Sequence, residues 1–410
     1  MERIHDRVAG LDVHRDVVAA CTRTPGPRRG TVSTKDRFGT TTSELTRLGD
    51  WLAGAEVTLV AMEATGVYWK PVVYALEERL EVWLCNAHHV KNVPGRKTDM
   101  SDAEWLADVA AHGMVRPSFV PPRPIRELRE LTRYRTSQTE ARATEIRRLE
   151  KVLQDAGVKL SSVASKVLTQ SGRAVVEALI GGERDSVVLA NLAKGKMRPK
   201  IPALIEALDG HFGAHHAVAA RSVLDHIDFL DGRITALSGE IAARTSGFGQ
   251  VFDLLLPVPG LGQLTIEIVI AETGADMSRF PTAAHLASWV GLCPANHESA
   301  GKRRRAGTGH GNMWLRKALI EASRAAVRSK DSYFAAQYLQ IMRRRGPNKA
   351  AVAVAHSLLD VIWHLLSTGE TYADLGADYF ERRRDPDRQR RRLINQLEQL
   401  GYTVTLEPVA

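Results

Sequence analysis

Cysteine is scarce in this chain: three in 410 residues, Cys21, Cys85 and Cys293. They are odd in number and far apart, and none sits in a C-x-x-C pair. That argues against a disulfide framework or a clustered zinc site and points to a reducing cytoplasm. Long apolar runs are missing too. No stretch reaches the roughly 20 apolar residues that cross a membrane. The nearest, 254–270, is interrupted by Pro257, Pro259 and glycines. The opening residues, Met1-Glu2-Arg3-Ile4-His5-Asp6-Arg7, lead into no apolar segment long enough for a signal peptide. A cytoplasmic protein with no membrane partner is expected. Gly260-Leu261-Gly262 lacks the following Gly-Lys-Ser/Thr of a Walker loop. No internal repeat or long low-complexity tract is present, so a stacked-repeat architecture is not expected.

What the chain does carry is positive charge. Lys and Arg total 56 against 47 Asp and Glu, a net +9. Such a balance favours a polyanionic partner. At this length two or three domains are expected. Residues 8–115 mix strand and helix signals. Strands are expected at 8–13, 17–22, 31–34, 57–62 and 81–85, and helices at 41–53, 72–80 and 102–112. Hairpin strands followed by strand–helix alternation predict a mixed sheet with helices on its faces. Pro117, Pro121, Pro122 and Pro124 then mark a boundary or stiff linker. A charge-rich helix follows to about 160. Val223, Ile227, Leu230, Ile234, Leu237 and Ile241 recur at the a/d spacing of a coiled coil. The run covers too few heptads to separate a dimerisation seam from an ordinary amphipathic helix. A second compact domain is expected from 248, with helices at 312–329 and 348–367 and a basic tail behind it.

Four acids carry the strongest chemical signal: Asp12, Glu63, Asp99 and Asp102. Asp12 sits inside the apolar strand Val8-Ala9-Gly10-Leu11-Asp12-Val13, and Glu63 ends another. Acids at buried strand ends are costly unless a cation neutralises them, and strand ends are where α/β sheets place function. Asp99 and Asp102, three apart, would share a helix face; a metal would relieve their repulsion, although first-turn acids favoured by the helix dipole give the same pattern. Carboxylate oxygens suit Mg²⁺, and two such ions about 4 Å apart can serve both oxygens in phosphoryl transfer.

In the second half, Ser299 is followed by Gly301 and by Lys302, Arg303, Arg304 and Arg305, a setting that admits a phosphate closely and supplies countercharge. A serine needs activation by a base or metal to act as a nucleophile. Gly260 and Gly262, before an apolar helix, are similar to the hairpin of a helix-hairpin-helix element, which offers backbone N–H groups to a DNA phosphate; a plain capping turn fits equally. His356, Asp360 and His364 recur along one helix and are read as core or subunit-contact residues. His88-His89 and His215-His216 have no ligand-like partner in the sequence.

The order and spacing of these features resemble the DEDD transposases of insertion sequences, a group that includes the Piv invertase and the bridge-RNA-guided recombinases. The resemblance rests on Gly10-Leu11-Asp12-Val13-His14, Met62-Glu63-Ala64-Thr65-Gly66 and Lys97-Thr98-Asp99-Met100-Ser101-Asp102-Ala103. It continues through Pro259-Gly260-Leu261-Gly262, Gly291-Leu292-Cys293-Pro294 and Gly311-Asn312-Met313-Trp314-Leu315-Arg316. It implies an α/β plus α fold: a RuvC-like ribonuclease H domain over 1–117, a helical connector with a candidate coiled coil over 118–247, a mostly helical serine-bearing domain over 248–375 and a basic tail over 376–410. It further implies that the four acids hold Mg²⁺, that Ser299 attacks a DNA phosphate to form a phosphoserine link, and that Asn312 and Arg316 join Gly260, Gly262 and the 302–305 cations in gripping DNA. Donor and target DNA, a structured guide RNA and further copies of the chain are the implied partners. A nuclease or junction resolvase using only the acids and water is the competing expectation. A non-catalytic nucleic-acid binder is a third, and an actin-like phosphotransferase lacks a later glycine-rich phosphate loop.

Overall fold

Alternating side chains lay down the first strand. In β1 (Val8–Val13), Ala9, Leu11 and Val13 face one side, and Val8, Gly10 and Asp12 the other. The computed structural model describes residues 3–26, 30–63, 66–86, 90, 102–293, 298–299, 302–303, 307–309, 311–383 and 386–406, with the backbone alone at 298–299, 302–303, 386–389 and 392. Asp99, Arg304, Arg305 and the pair His88-His89 lie outside these residues. The chain divides into two compact units, Met1–Val120 and Pro121–Ala410.

In the first unit β2 (Val17–Pro25) and β3 (Thr31–Gly39) complete an antiparallel meander with β1. The sheet then grows on the other side of β1 with β4 (Leu59–Glu63) and β5 (Glu81–Cys85), both parallel, in the order β3-β2-β1-β4-β5. This mixed sheet is consistent with a ribonuclease H-like domain. The outer strand β3 is longer than its apolar residues suggest, because an exposed edge tolerates Lys35, Asp36 and Arg37. Helices α1 (Thr42–Gly54) and α2 (Trp69–Leu76) cover one face through Leu45, Leu48, Leu52, Val72, Val73 and Leu76. Helix α3 (Asp102–Ala111) covers the other through Trp105, Leu106 and Val109, against Val8, Leu59 and Ala61. A Cβ on Gly10 would stand 2.0 Å from the Ala103 carbonyl and 2.5 Å from the Ala107 nitrogen. Glycine there lets α3 lie directly on β1.

The second unit is helical apart from a small hairpin. Helix α4 (Arg123–Asp155) starts where the prolines end. Four short helices follow: α5 (Leu160–Val163), α6 (Gln170–Ile180), α7 (Ser186–Asn191) and α8 (Ile201–Leu208). Helix α9 (Ala214–Thr245) returns antiparallel along α4. Its rungs are Glu127–Arg244 at 3.1 Å, Arg142–Asp231, Glu145–His226 at 3.4 Å and Asp155–His216 at 3.0 Å. The a/d residues Ile227, Leu230 and Ile241 are buried, and Val223, Ile234 and Leu237 half-buried. The helix that lies along them is α4 of the same chain.

Helices α10 (Gly249–Leu255), α11 (Gln263–Thr273), α12 (Ala283–Val290), α13 (Met313–Ala326), α14 (Tyr333–Arg345) and α15 (Pro347–Thr368) pack next, and the short α16 (Tyr379–Arg382) and α17 (Pro386–Gln399) close the chain. Residues expected as connector and serine-bearing domain fall in one unit because charges weld α4 to α11. Arg129 and Arg133 reach Glu272, which has no exposed side-chain surface, and Arg135 reaches Glu267 at 2.5 Å. Helix α15, and not the proline-interrupted stretch 254–270, is long and apolar enough by composition to cross a membrane. Its Val354, Leu358, Leu359 and Ile362 are buried within the unit, as in a core helix.

Candidate active site

Asp12, Glu63 and Asp102 stand near the ends of β1, β4 and α3. Parallel pairing sets Leu11 beside Met62. Asp12 and Glu63 are the next residues along the two strands. By the pleat, Asp12 follows Gly10, and Glu63 follows Ala61, onto the face that α3 covers. Asp102 opens α3, one residue before the Ala103 carbonyl that lies on Gly10. Asp12, Glu63 and Asp102, from three elements, therefore lie toward the same end of the sheet. Asp12 is 32% exposed, and His14 Nε2 stands 3.1 Å from its Oδ2.

Farther along α3 the acids meet cations of the sheet instead: Glu104 binds Lys35, and Asp108 binds Arg23 at 2.8 Å. Cys85 pairs with Glu63 in the sheet register. Its thiol is pushed up to about 12, by burial first and by the charge of Glu63 second. The carboxylate oxygens of Asp12, Glu63 and Asp102 are donors of the kind that suits a hard divalent cation such as Mg²⁺.

In the second unit the serine segment is framed by two glycines. Gly291, with φ 79°, ends α12. A Cβ there would lie 2.7 Å from the Gly309 carbonyl, and one on Gly311 would lie 2.4 Å from the Gly291 nitrogen. The base of the segment is thus closed backbone to backbone, and Asn312 N donates to the Trp289 carbonyl at 3.1 Å. Inside it, β6 (Glu298–Ser299) pairs with β7 (Lys302–Arg303), placing Lys302 opposite Ser299.

The other expected DNA contacts divide. Asn312 is engaged within the fold: Oδ1 accepts from the Trp314 and Leu315 N–H groups at 3.1 Å, and Nδ2 donates to Glu272 at 2.6 Å. It is the N-cap of α13, and these bonds hold its amide within the fold. Arg316 Nη1 donates to the Gly309 carbonyl at 3.2 Å and tethers the serine segment. Gly260, with φ 88°, is packed on α13, where a Cβ would meet the Ala322 carbonyl at 2.3 Å. Gly262 faces open space at the start of α11.

His215-His216 does gain a partner that the sequence did not reveal. Asp155, His215 and His216 bring donor atoms within 4.8 Å of one another. Gly213 N–H donates to His216 Nδ1 at 3.0 Å, so Nε2 carries the proton and directs it to Asp155 Oδ2 at 3.0 Å. Both ring nitrogens of the neutral imidazole are then in use. The group works as a clasp between the ends of α4 and α9.

Two transposase family models match the chain. The DEDD model of the IS110 type covers residues 9–157, and the IS116/IS110/IS902 family model covers 252–339. A probable family 20 transposase of Pseudomonas aeruginosa is 29% identical over 77% of this chain and 85% of its own length. The transposase for insertion sequence element IS1111A of Coxiella burnetii is 26% identical over 78% and 81%. An IS110 insertion-element protein of Streptomyces coelicolor is 30% identical over 43% and 46%. With both segments matched in order, and with transposases similar over more than three quarters of the chain, the chain belongs to the DEDD transposases of the IS110 type.

Proposed function

We propose that this chain carries out the DNA transposition of its family by cutting and rejoining strands through Ser299. The observation that supports the reading is that Asp12 and Glu63, near the C-terminal ends of neighbouring parallel strands, and Asp102, which opens α3, lie toward the same end of the sheet. With Asp99 they would hold Mg²⁺, which when bound supplies positive charge to a phosphate's oxygens. Ser299 Oγ forms a bond to phosphorus, its proton passing to a base, while a strand oxygen leaves and takes up a proton. The reverse step, with a hydroxyl of a different strand, restores the serine and completes exchange. Lys302, opposite Ser299, and its neighbours Arg303, Arg304 and Arg305 supply countercharge to the phosphate. A structured guide RNA and a homo-oligomer complete the proposal; they follow from the family resemblance and agree with the net +9.

Ser299→Ala separates this reading from water attack by the acids alone. Denaturing gels on nicked substrate should show a covalent protein–DNA adduct for the wild type and none for the variant, with strand exchange lost. Cleavage that persists in the variant would identify a metal-dependent nuclease or resolvase. Copurification of a defined RNA, and loss of exchange after its digestion, test the guide.

A further inference from the structure

The two matched segments leave residues 158–251 uncovered. In the first part of that span the chain builds a lobe at the closed end of the α4–α9 hairpin. The lobe has its own apolar core, running from Leu149 through Val176, Leu189 and Leu204 to Leu224.

Its surface is unevenly charged. Between Asp185 and Glu206 the sequence holds no acid and four cations, Lys194, Lys196, Arg198 and Lys200. All four are exposed, at and before the tight turn Gly195–Lys200. Two bonds fold this turn onto an earlier segment: Lys200 Nζ donates to the Val163 carbonyl and Lys194 N to Ser171 Oγ, each at 2.9 Å. Exposed Lys166 lies in the segment so joined.

The lobe's arginines nearer the hairpin are tied to acids: Arg173 to Asp228 at 2.5 Å and Arg221 to Glu177 at 2.6 Å. Among the described residues, Lys166, Lys194, Lys196 and Arg198 have no such ion pair. Unpaired cations gathered on one surface repel each other and attract a polyanion. The stretch 156–213 has no Tyr or Trp, and its single Phe, Phe212, is 3% exposed, so it offers no exposed Tyr, Trp or Phe face for stacking single-stranded bases. What such a surface can hold is a sugar–phosphate backbone, without reading bases.

We infer that the lobe at the hairpin's end, through Lys166, Lys194, Lys196 and Arg198, grips the phosphate backbone of duplex DNA. DNA is the polyanion that transposition requires, and the inference holds whether or not Ser299 is the nucleophile. The test compares the full-length protein with K166Q/K194Q/K196Q/R198Q, by fluorescence anisotropy on a duplex DNA of arbitrary sequence across a salt series. The expected result is an affinity loss of at least about tenfold at low salt, and a slope of log K against log salt shallower by about 2–4. K196E/R198E, on the exposed turn alone, should weaken binding in the same direction, with circular dichroism unchanged in both variants. Equal affinity and slope in wild type and variants would make the patch a solvated face and overturn the inference. A loss confined to an RNA duplex, with DNA binding intact, would overturn the choice of DNA.

Discussion

Gly10 shows how a single missing side chain organises the first unit. Its hydrogen leaves room for the Ala103 carbonyl, and that approach sets Asp102 near the end of the strand carrying Asp12. Gly10→Ala should lower stability by about 1–3 kcal/mol through overpacking and depress DNA cleavage more than thermal stability alone explains. Denaturant melts run beside cleavage rates would check this, and an unaltered cleavage rate would contradict it. Cys85 offers a second residue-scale prediction. Its thiol stands near 12 in the fold against an ordinary 9.0. Below pH 9 both states keep the proton; above it the unfolded chain gives the proton up first, so the unfolded state binds fewer protons. Stability should therefore fall as pH rises from 9 toward 12, by up to about 1.4 kcal/mol per pH unit from this group. Urea titrations of wild type and Cys85→Ala across that range should show the slope in the wild type and a flatter curve in the variant.

Among the elements, the α4–α9 hairpin most changes what the sequence implied. A seam at a/d spacing reads equally as a contact between copies or within one chain, because periodicity specifies a face and not its partner. Ion-pair rungs along the whole length put α4 opposite α9. Leu224→Ala and Ile227→Ala, at side chains 0% and 1% exposed, should each cost about 2–5 kcal/mol. Because the partner helix is in the same chain, the drop in melting temperature should not depend on protein concentration. Melts at several concentrations test this; destabilisation that eases on concentrating the protein would place the seam between copies. The exposed rungs themselves add little, typically under about 1 kcal/mol each. The buried contacts of Glu272 with Arg129, Arg133 and Asn312 differ in kind, since removing one partner strands a charge in the interior. Through Asn312 this network fixes the start of α13, beside the closed base of the serine segment.

Across the whole molecule the acids lie in one compact unit and Ser299 in the other. On the proposed chemistry both act on one phosphodiester. Mixing an Asp12→Ala protein with a Ser299→Ala protein should restore strand exchange where each alone has none, if acids of one copy work with the serine of another, as the family resemblance implies. Failure of the mixture, with both proteins folded and binding DNA, would assign acids and serine to the same copy.

Asp12 and Glu63 stand out in the sequence because a carboxylate inside or at the end of an apolar strand departs from the local pattern, and strand alternation alone gives the face on which Asp12 points. The sheet strands and most helices were legible for the same reason: burial imposes periods that a linear chain displays. Partners were not legible. That Gly10 admits α3, that Asn312 caps a helix and binds Glu272, that His216 meets Asp155 and that Gly291 closes on Gly311 all depend on residues far apart in the chain. Composition and periodicity determined that this chain has a mixed sheet carrying acids and a basic helical remainder. Only tertiary structure decided which faces and charges meet, because contacts between distant residues arise from packing, which no local pattern encodes.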